Sequence, residues 1–379
     1  MAEPLADVVS FTRALIDCES VTPARGRVFD VLESALAGRG FVVERFTAGQ
    51  SPDGPVENLL ATRDFGGMHL AFAGHLDVVP PGDDWTSDPF TAEVRGGLLY
   101  GRGAVDMKGA VAAFVTACDD LPERGTISLI ITGDEEGPAL HGTRALISRM
   151  AERRIRPDLC LVGEPTSAHR LGDTIKIGRR GSVNIWIDVP GRQGHVAYPH
   201  LGDNPIPKLI AALAEIDALV LDAGTDWFQP SNIEVTDLSV GNPASNVIPG
   251  RAAARLSIRF NDTHHGEALV TMIEEIVRRH ASDAVVVGKV SGEAFLTPPG
   301  PLSTLVADAV SEVTGVTPEL STTGGTSDAR FLSALCPTVE FGLVNATMHK
   351  LDEAVAMRDL DQLVEVYRAV IRRALNAQP

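Results

Sequence analysis

The sequence predicts an α/β protein with two domains, one of them inserted into the other. Its 379 residues are enough for two domains of ordinary size. In the first part of the chain, short apolar runs alternate with helical patterns, which is typical of a sheet covered by helices. The pattern changes near residue 180 and returns after residue 292. We therefore predict a first domain from residues 1–179 and 293–379, and an inserted domain from residues 180–292.

The first domain is expected to contain a buried sheet. Apolar residues recur at helical spacing over 5–15 and 28–36, which predicts two amphipathic helices. Apolar runs too short for helices then predict strands at 58–62, 69–73, 126–132 and 158–163. The small apolar residues of 109–117 predict a buried helix, and 360–374 has the pattern of a closing amphipathic helix.

The inserted domain has a different order of elements. We predict strands at 182–189, 232–240, 251–260 and 284–290, and helices at 205–221 and 263–280. The resulting order is β-α-β-β-α-β, which is that of the split, ferredoxin-like unit.

Composition excludes several classes of function. With 33 Lys+Arg against 50 Asp+Glu, the formal net charge is −17, whereas nucleic acids and anionic membrane surfaces require a basic footprint. No apolar stretch approaches the length of a membrane-spanning helix. The four cysteines lie far apart, and the first residues lack the basic region of a signal peptide. These features predict a cytoplasmic protein with buried free thiols.

Acidic residues and histidines follow the predicted strands directly. His75 and Asp77 come after the run 69–73, two residues apart, so that in extended backbone they lie on the same side. This spacing suits a histidine metal ligand whose second nitrogen is held by a carboxylate. Taken alone, the pair also fits a solvent-exposed histidine.

Further acids occupy equivalent places. Asp106 stands among glycines before the buried helix, where a helix cap is the alternative. Asp134, Glu135 and Glu136 end the strand 126–132, and such a run repels itself unless cations compensate it, although an exposed acidic turn is also possible. The remaining candidates at strand ends are Glu164 and His349.

Together these residues predict a metal site with nitrogen and oxygen ligands. Such a set suits Zn²⁺, with Co²⁺ or Mn²⁺ as possible substitutes. Three carboxylates, those of Asp106, Glu136 and Glu164, favour two divalent ions over one on grounds of charge, particularly with a shared hydroxide. Glu135 is then left beside a ligand without being needed as one, which is a suitable place for a general base.

These residues resemble those of the di-zinc metallohydrolases of the aminoacylase and carboxypeptidase G group. The resemblance extends over essentially the whole chain, from Gly74-His-Leu-Asp-Val-Val-Pro-Pro-Gly to Asn345-Ala-Thr-Met-His-Lys. Its more specific motifs are Lys176-Ile-Gly-Arg-Arg-Gly-Ser182, Gln193-Gly-His-Val-Ala-Tyr-Pro199, Asn246-Val-Ile-Pro249 and Thr323-Gly-Gly-Thr-Ser-Asp-Ala-Arg-Phe331. It implies a three-layer, zinc-exopeptidase-like catalytic domain with an inserted lid and dimerisation domain.

The resemblance implies a role for each candidate residue. One zinc is bound by His75, Asp106 and Glu164, and the other by Asp106, Glu136 and His349, so that Asp106 bridges the pair. Asp77 orients His75, and Glu135 acts as general base and acid. A cis peptide bond is expected between Asp106 and Met107.

The family pattern also implies how substrate is bound. His195 is expected to reach the active site of the partner subunit in a homodimer formed through residues 180–292, and to polarise the scissile carbonyl. Fixed cations and hydrogen-bonding groups are expected to bind a small substrate with several carboxylates. By motif match, these substrate-binding residues are Arg179, Ser182, Tyr198, Asn246, Arg259, Gly325, Thr326, Arg330 and Asn345.

The implied activity is hydrolysis of N-succinyl-LL-2,6-diaminopimelate to succinate and LL-2,6-diaminopimelate, a step toward lysine and cell-wall precursors. Zinc-bound hydroxide is the implied nucleophile. A deacylase acting on N-acetylornithine or another N-acyl amino acid is the nearest alternative, followed by an aminopeptidase or dipeptidase on the same scaffold. A non-catalytic binding protein is a further class, but it predicts the loss of Glu135 or of a ligand, and all of them are present.

Overall fold

A computed structural model describes residues 7–119 and 121–377 of the chain. Its α-helices are α1 (Val8–Ile16), α2 (Arg27–Ala37), α3 (Lys108–Ala117), α4 (Thr143–Arg153), α5 (Pro205–Asp217), α6 (Gly266–His280), α7 (Pro301–Thr314), α8 (Ala329–Leu332) and α9 (Met357–Asn376), with 3₁₀ turns at Pro199–Leu201 and Asn345–Thr347.

The strands of the same residues are β1 (Val42–Ala48), β2 (Val56–Asp64), β3 (His69–His75), β4 (Glu93–Arg95), β5 (Leu98–Tyr100), β6 (Thr126–Thr132), β7 (Leu159–Val162), β8 (Thr174–Lys176), β9 (Gly178–Arg179), β10 (Gly181–Pro190), β11 (Gly194–His195), β12 (Asn232–Ser239), β13 (Val247–Ile248), β14 (Arg251–Phe260), β15 (Val285–Gly292), β16 (Phe295–Leu296), β17 (Glu319–Ser321), β18 (Thr338–Glu340) and β19 (Ala354–Ala356).

The chain divides into two compact units. The first contains the described residues up to Ile177, Thr297–Ser321 and those from Ser327 onward, and the second contains Gly178–Leu296 and Thr322–Thr326. The short segment Thr322–Thr326 thus groups with the inserted part of the chain, although its place in the sequence put it in the first domain.

The first unit is built on a mixed sheet in the order β1-β2-β6-β3-β7-β18-β8-β17. Its central strands β6, β3, β7 and β18 are mutually parallel, so their carboxyl ends share one edge. The chain passes from β3 to β6 through α3 and returns across β3 to β7 through α4. Because such crossovers are right-handed, the reversal of direction places α3 and α4 on opposite faces of the sheet. This is the predicted three-layer arrangement. In α/β sheets, ligands bind outside the carboxyl ends of the strands, at the place where the strand order reverses.

An aromatic cluster joins the sheet to the helices on one face. The ring of Phe72 in β3 stacks on Phe114 in α3 with centroids 4.1 Å apart, and Tyr367 in α9 meets both rings edge-on at 5.7 Å. The Tyr367 hydroxyl donates to the Phe341 carbonyl at 2.8 Å, which satisfies its only polar group. The core therefore holds β3, which ends in His75, firmly from one side.

The second unit has the ferredoxin-like topology that the sequence predicts. Its antiparallel sheet has the order β12-β14-β10-β15, and helices α5 and α6 cover one face. Alternate residues of β10, including Ile185 and Ile187, are buried beneath these helices. Trp186 on the opposite face is 43 % exposed, and its register neighbour Val287 is 54 % exposed. One face of this sheet thus forms the core and the other carries large exposed apolar side chains.

The predicted free thiols are confirmed, because Cys18, Cys118, Cys160 and Cys336 are all buried and unpaired. Among the described residues, no helix combines the length and the apolar character needed to cross a bilayer. The N-terminal residues 1–6, on which part of the cytoplasmic prediction depends, lie outside the described residues.

Candidate metal centre

The strand order of the first unit brings the predicted ligands to one edge of the sheet. His75 is the last residue of β3, Glu135 and Glu136 follow β6, and Glu164 follows β7. Asp106 precedes α3 by two residues, and His349 comes from the loop after β18. Residues up to 274 positions apart in the sequence therefore converge because their strands are parallel neighbours.

Asp106 lies between the two histidines. Its Oδ1 is 3.2 Å from Nε2 of His75, and its Oδ2 is 3.1 Å from Nε2 of His349. Each oxygen of one carboxylate thus faces a different imidazole, which is the arrangement of a bridging ligand. The peptide bond between Asp106 and Met107 is cis, as the resemblance implies.

The remaining ligand candidates surround these three residues. Nε2 of His349 is 2.8 Å from Oε1 of Glu136, and Nε2 of His75 is 3.9 Å from Oε1 of Glu164. Ligand atoms of His75, Asp106 and Glu136 all lie within 4.8 Å of one another, and so do those of His75, Glu135 and Glu164. Two ligand atoms at about 2.0 Å from one tetrahedral Zn²⁺ are about 3.3 Å apart. The side chains present therefore fit divalent cations in both spacing and chemistry.

The orientation of His75 differs in one respect from the sequence prediction. Its Nδ1 lies 2.8 Å from the main-chain carbonyl of Asp77 and 3.6 Å from the carboxylate of that residue. The nearer contact fixes the proton on Nδ1 and leaves Nε2 available as a ligand. The Asp77 carboxylate instead accepts from the main-chain N–H groups of Glu135 at 3.2 Å and Glu136 at 2.9 Å. Asp77 thus positions both His75 and the acidic turn.

Charge in the cluster is strongly unbalanced. Burial would raise the pKa of Asp106, but hydrogen bonds from His349 and His75 outweigh it and hold that pKa below its usual range. Hydrogen bonds to Asp106 and Glu136 raise the pKa of His349 to about 10. Burial, and next the charge of Glu164, raises the pKa of Glu135 well above its usual range. The carboxylates thus draw protons onto neighbouring groups, and bound cations would supply that positive charge instead.

The ligand candidates differ strongly in their exposure to solvent. His75 is 1 % exposed and Asp106 is 5 % exposed, whereas the side chain of His349 is 42 % exposed. His349 also has a φ of 60°, a left-handed conformation that residues with a side chain seldom adopt. The backbone is therefore held in an unusual conformation at the most accessible ligand candidate.

Two of the predicted substrate-binding residues contact each other in the second unit. Ser182 in β10 is buried, and its hydroxyl accepts a hydrogen bond from the Arg259 guanidinium of β14. Arg179 in β9 is also buried. A side chain at Gly324 would collide with its guanidinium, so the glycine allows this loop to approach Arg179 closely.

His195, Tyr198 and Asn246 are grouped on the exposed side of the same unit. The imidazole of His195 lies 5.7 Å from the Tyr198 ring, and the Asn246 carbonyl accepts from the Val196 N–H at 3.2 Å. The main-chain N–H of Ala197 donates to Nδ1 of His195 at 3.0 Å. In neutral His195 the proton is therefore on Nε2, which makes that exposed nitrogen a hydrogen-bond donor.

The other candidates are divided between the units. Gly325 and Thr326 belong to the second unit, whereas Arg330 and Asn345 belong to the first. The Arg330 guanidinium lies over the Phe331 ring and is 3.8 Å from the buried carboxylate of Asp328. Asn345 is half-buried and its N–H donates to the Ser167 carbonyl at 2.9 Å.

Sequence reasoning missed a buried carboxylate and its partner. Glu353 is 0 % exposed and pairs with Arg102, which is 2 % exposed. Neither lies in an acidic run or directly after a predicted strand. Their 251-residue separation leaves no local pattern from which the pair could have been found.

Comparison with known proteins places this geometry in a family. Residues 71–373 match the model of peptidase family M20/M25/M40. A curated relative from Sphingopyxis alaskensis, named succinyl-diaminopimelate desuccinylase, is 68 % identical over 369 residues, covering 97 % of this chain and 98 % of its own.

Solved structures share the fold at much lower identity. Aminopeptidase PepT from Bacillus cereus has a TM-score of 0.79 at 21 % identity, covering 97 % of this chain and 98 % of its own. A dinuclear metal-binding peptidase of the M20 family from Bacillus subtilis has a TM-score of 0.71 at 14 % identity, covering 97 % of this chain and 98 % of its own.

Proposed function

Because the chain belongs to peptidase family M20/M25/M40, we propose that it is a metallohydrolase that cleaves N-succinyl-LL-2,6-diaminopimelate to succinate and LL-2,6-diaminopimelate. The observation that supports this substrate is the 68 % identity, over nearly the whole length of both chains, to a relative named for this activity. The metal requirement is supported by the convergence of His75, Asp106, Glu136, Glu164 and His349.

We assign two Zn²⁺ to this cluster, with Co²⁺ or Mn²⁺ as substitutes. His75, Asp106 and Glu164 would hold one ion, and Asp106, Glu136 and His349 the other. The separate contacts of the two Asp106 oxygens support the bridging role. When bound, the ions lower the pKa of water and polarise the amide carbonyl.

Glu135 serves as the proton carrier of the reaction. It lies in the turn that Asp77 fixes through two main-chain N–H groups, so its carboxylate is held beside the ligands. It is not needed as a ligand, so its carboxylate is available to accept a proton and later to donate it. Glu135 takes a proton from the attacking water, and the C–N bond breaks as this proton is delivered to the leaving amine. Succinate and a free amino group are formed.

His195 stabilises the carbonyl oxygen as negative charge develops on it. Its Nε2–H is the free donor of the imidazole, because Nδ1 accepts from Ala197. A neutral donor directed at a developing oxyanion stabilises the transition state more than the ground state. We propose that His195 performs this role in the active site of the partner subunit.

The dimer is proposed to form through residues 180–292, whose sheet carries exposed apolar side chains on its free face. Trp186 at 43 % exposure, Val285 at 57 % and Val287 at 54 % lie on neighbouring strands of that face. Exposed apolar residues grouped in this way are typical of interaction surfaces. They support the second unit as the contact region.

Substrate carboxylates are proposed to bind the cations and hydrogen-bond donors that the family pattern identifies. The guanidinium groups of Arg179, Arg259 and Arg330 supply planar, bidentate recognition of a carboxylate. The supporting hydrogen-bonding groups are those of Ser182, Tyr198, Asn246, Gly325, Thr326 and Asn345. The hydrogen bond from Arg259 to the Ser182 hydroxyl supports grouping these two residues in one binding region.

The activity is tested by comparing two substrates. Zinc-reconstituted protein is expected to hydrolyse N-succinyl-LL-2,6-diaminopimelate in strong preference to N-acetylornithine, and a chelator is expected to abolish the reaction. Amine release measured on both substrates, with and without chelator, gives the answer. Preference for the acetyl substrate would retain the metal chemistry and overturn the proposed substrate. Activity on neither, with metal bound, would instead favour a binding protein.

The action of His195 across the dimer is tested with mixed subunits. His195→Ala and Glu135→Ala variants are each expected to be nearly inactive alone. When they are co-expressed with different tags and the heterodimer is purified, one site contains both an intact Glu135 and the partner's intact His195, and we expect about half of the wild-type activity. An inactive heterodimer would show that both residues act within one chain.

A further inference from the structure

A buried ion pair connects the segments that carry the metal-ligand candidates. Nη1 of Arg102 lies 2.7 Å from Oε2 of Glu353, and both side chains are almost completely buried. Neither residue is among the proposed ligands. Buried ion pairs contribute little to stability on balance, because the loss of hydration offsets the attraction. The contacts of this pair point to another role.

The Glu353 carboxylate holds the backbone that leads to the bridging residue. Its Oε1 accepts from the main-chain N–H groups of Val105 at 2.8 Å and Asp106 at 3.1 Å. Its Oε2 accepts from the N–H of Gly103 at 3.2 Å as well as from Arg102. Four donors thus converge on one carboxylate, and three of them are main-chain groups within the loop that ends at Asp106.

Arg102 extends the same connection to two other loops. Its Nη1 also donates to the carbonyl of Lys350 at 3.3 Å, and Lys350 directly follows His349. Its Nη2 donates to the carbonyl of Pro81 at 3.1 Å, in the loop that follows His75 and Asp77. The Pro81 carbonyl also accepts from the indole N–H of Trp85 at 2.8 Å. The pair therefore links the loops of His75, Asp106 and His349.

We propose that Glu353, supported by Arg102, is a positioning residue for the metal centre. It fixes the main chain at Asp106, so that the two oxygens of that side chain are held toward the two histidines. This inference rests on the proposed function only in that Asp106 and His349 are metal ligands. Replacing a residue that orients a metal ligand without itself binding the metal typically lowers metal affinity or activity by about 10–100-fold.

Glu353→Gln is the sharpest test. The amide has the shape of the carboxylate, but its NH₂ group cannot accept hydrogen bonds, so two of the four donors lose their acceptor in either orientation. We expect Zn²⁺ affinity, measured by competition with a chromophoric chelator, to fall about 10–100-fold. With Co²⁺ as probe, the visible absorption of the bound ion should shift. At saturating metal we expect kcat to fall while KM changes little.

A second variant and a control complete the design. Arg102→Lys retains the charge but loses the planar group that reaches three acceptors at once, and it should weaken Zn²⁺ binding in the same way. If Glu353→Gln does not fold, Zn²⁺ binding by Arg102→Lys tests the positioning role instead. Ser128→Ala removes a buried hydrogen bond with His69 at 2.8 Å and a partly buried one with Thr62 at 3.0 Å. We expect this control to lower the melting temperature without changing Zn²⁺ affinity.

The outcomes separate this inference from the proposed function. Wild-type Zn²⁺ affinity and Co²⁺ absorption in the folded variants would overturn the positioning role, whatever their melting temperatures. Metal affinity is measured without substrate. If wild-type protein binds metal but does not cleave the succinyl substrate, the proposed function fails, whereas weakened Zn²⁺ binding by Glu353→Gln would still support the positioning role.

Discussion

Replacing Glu135 by alanine is expected to lower the turnover of N-succinyl-LL-2,6-diaminopimelate by about 10⁴-fold, the upper end of the effect of one acid–base group. The upper end is expected because Glu135 acts twice, first on water and then on the leaving amine. A factor of 10⁴ corresponds to about 5.5 kcal/mol in the activation free energy. Steady-state kinetics at saturating substrate and metal measure this loss directly.

Metal content decides how the loss of Glu135 is interpreted. Ligand atoms of His75, Glu135 and Glu164 lie within 4.8 Å of one another, so Glu135 is close enough to be a ligand. If it is the proton carrier, Glu135→Ala and Glu135→Gln should retain the metal content of the wild type, determined by elemental analysis after gel filtration. Metal loss in both variants would contradict the assignment and make Glu135 a ligand.

Replacing Asp106 by alanine is expected to be the most damaging change to metal binding. Its two oxygens face His75 at 3.2 Å and His349 at 3.1 Å, so its removal takes a ligand from each proposed ion. We expect the affinity of both ions to fall by more than about 100-fold, beyond the range expected for residues that only orient a ligand, and activity to become undetectable. Titration with Zn²⁺ against a competing chelator measures both affinities.

His349→Ala is the matched comparison for Asp106. It removes a ligand from one proposed ion only, so the Zn²⁺ titration should show one weakened site and one site of nearly wild-type affinity. If Asp106→Ala gave the same one-site pattern as His349→Ala, Asp106 would not be a bridge. The two titrations together therefore test the shared ligand independently of activity.

The sequence predicted the parts of the fold that follow from local periodicity. The mainly apolar runs of β3, β6 and β7 identified central strands, because strands buried on both faces read as nearly continuous hydrophobic runs. β1 was not predicted, because its residues are mostly half-buried and mixed in polarity. The three-residue strands β4, β5 and β19 were also missed, since such short segments carry no measurable period.

The metal-ligand candidates were also predictable from local sequence patterns. The residues that hold these ligands in place were not. Ligands at the ends of parallel strands can be found one strand at a time, as for His75 and Glu164. The contacts that hold them depend on pairs distant in sequence, such as Arg102 with Glu353. For Asp77, a carboxylate contact to His75 was predicted, whereas the nearer contact uses the main-chain carbonyl, which any residue type could provide.

The interrupted course of the first unit has a consequence for biosynthesis. Its sheet needs β18, and its proposed ligand set needs His349, yet both are synthesised after the whole of Gly178–Leu296. Because domains generally fold as units during translation, the second unit can fold while the first still lacks a central strand and a ligand. High-affinity binding of the proposed metal ions thus has to follow synthesis of both segments, and a nascent chain that stops before them would leave the ribosome without a complete ligand set.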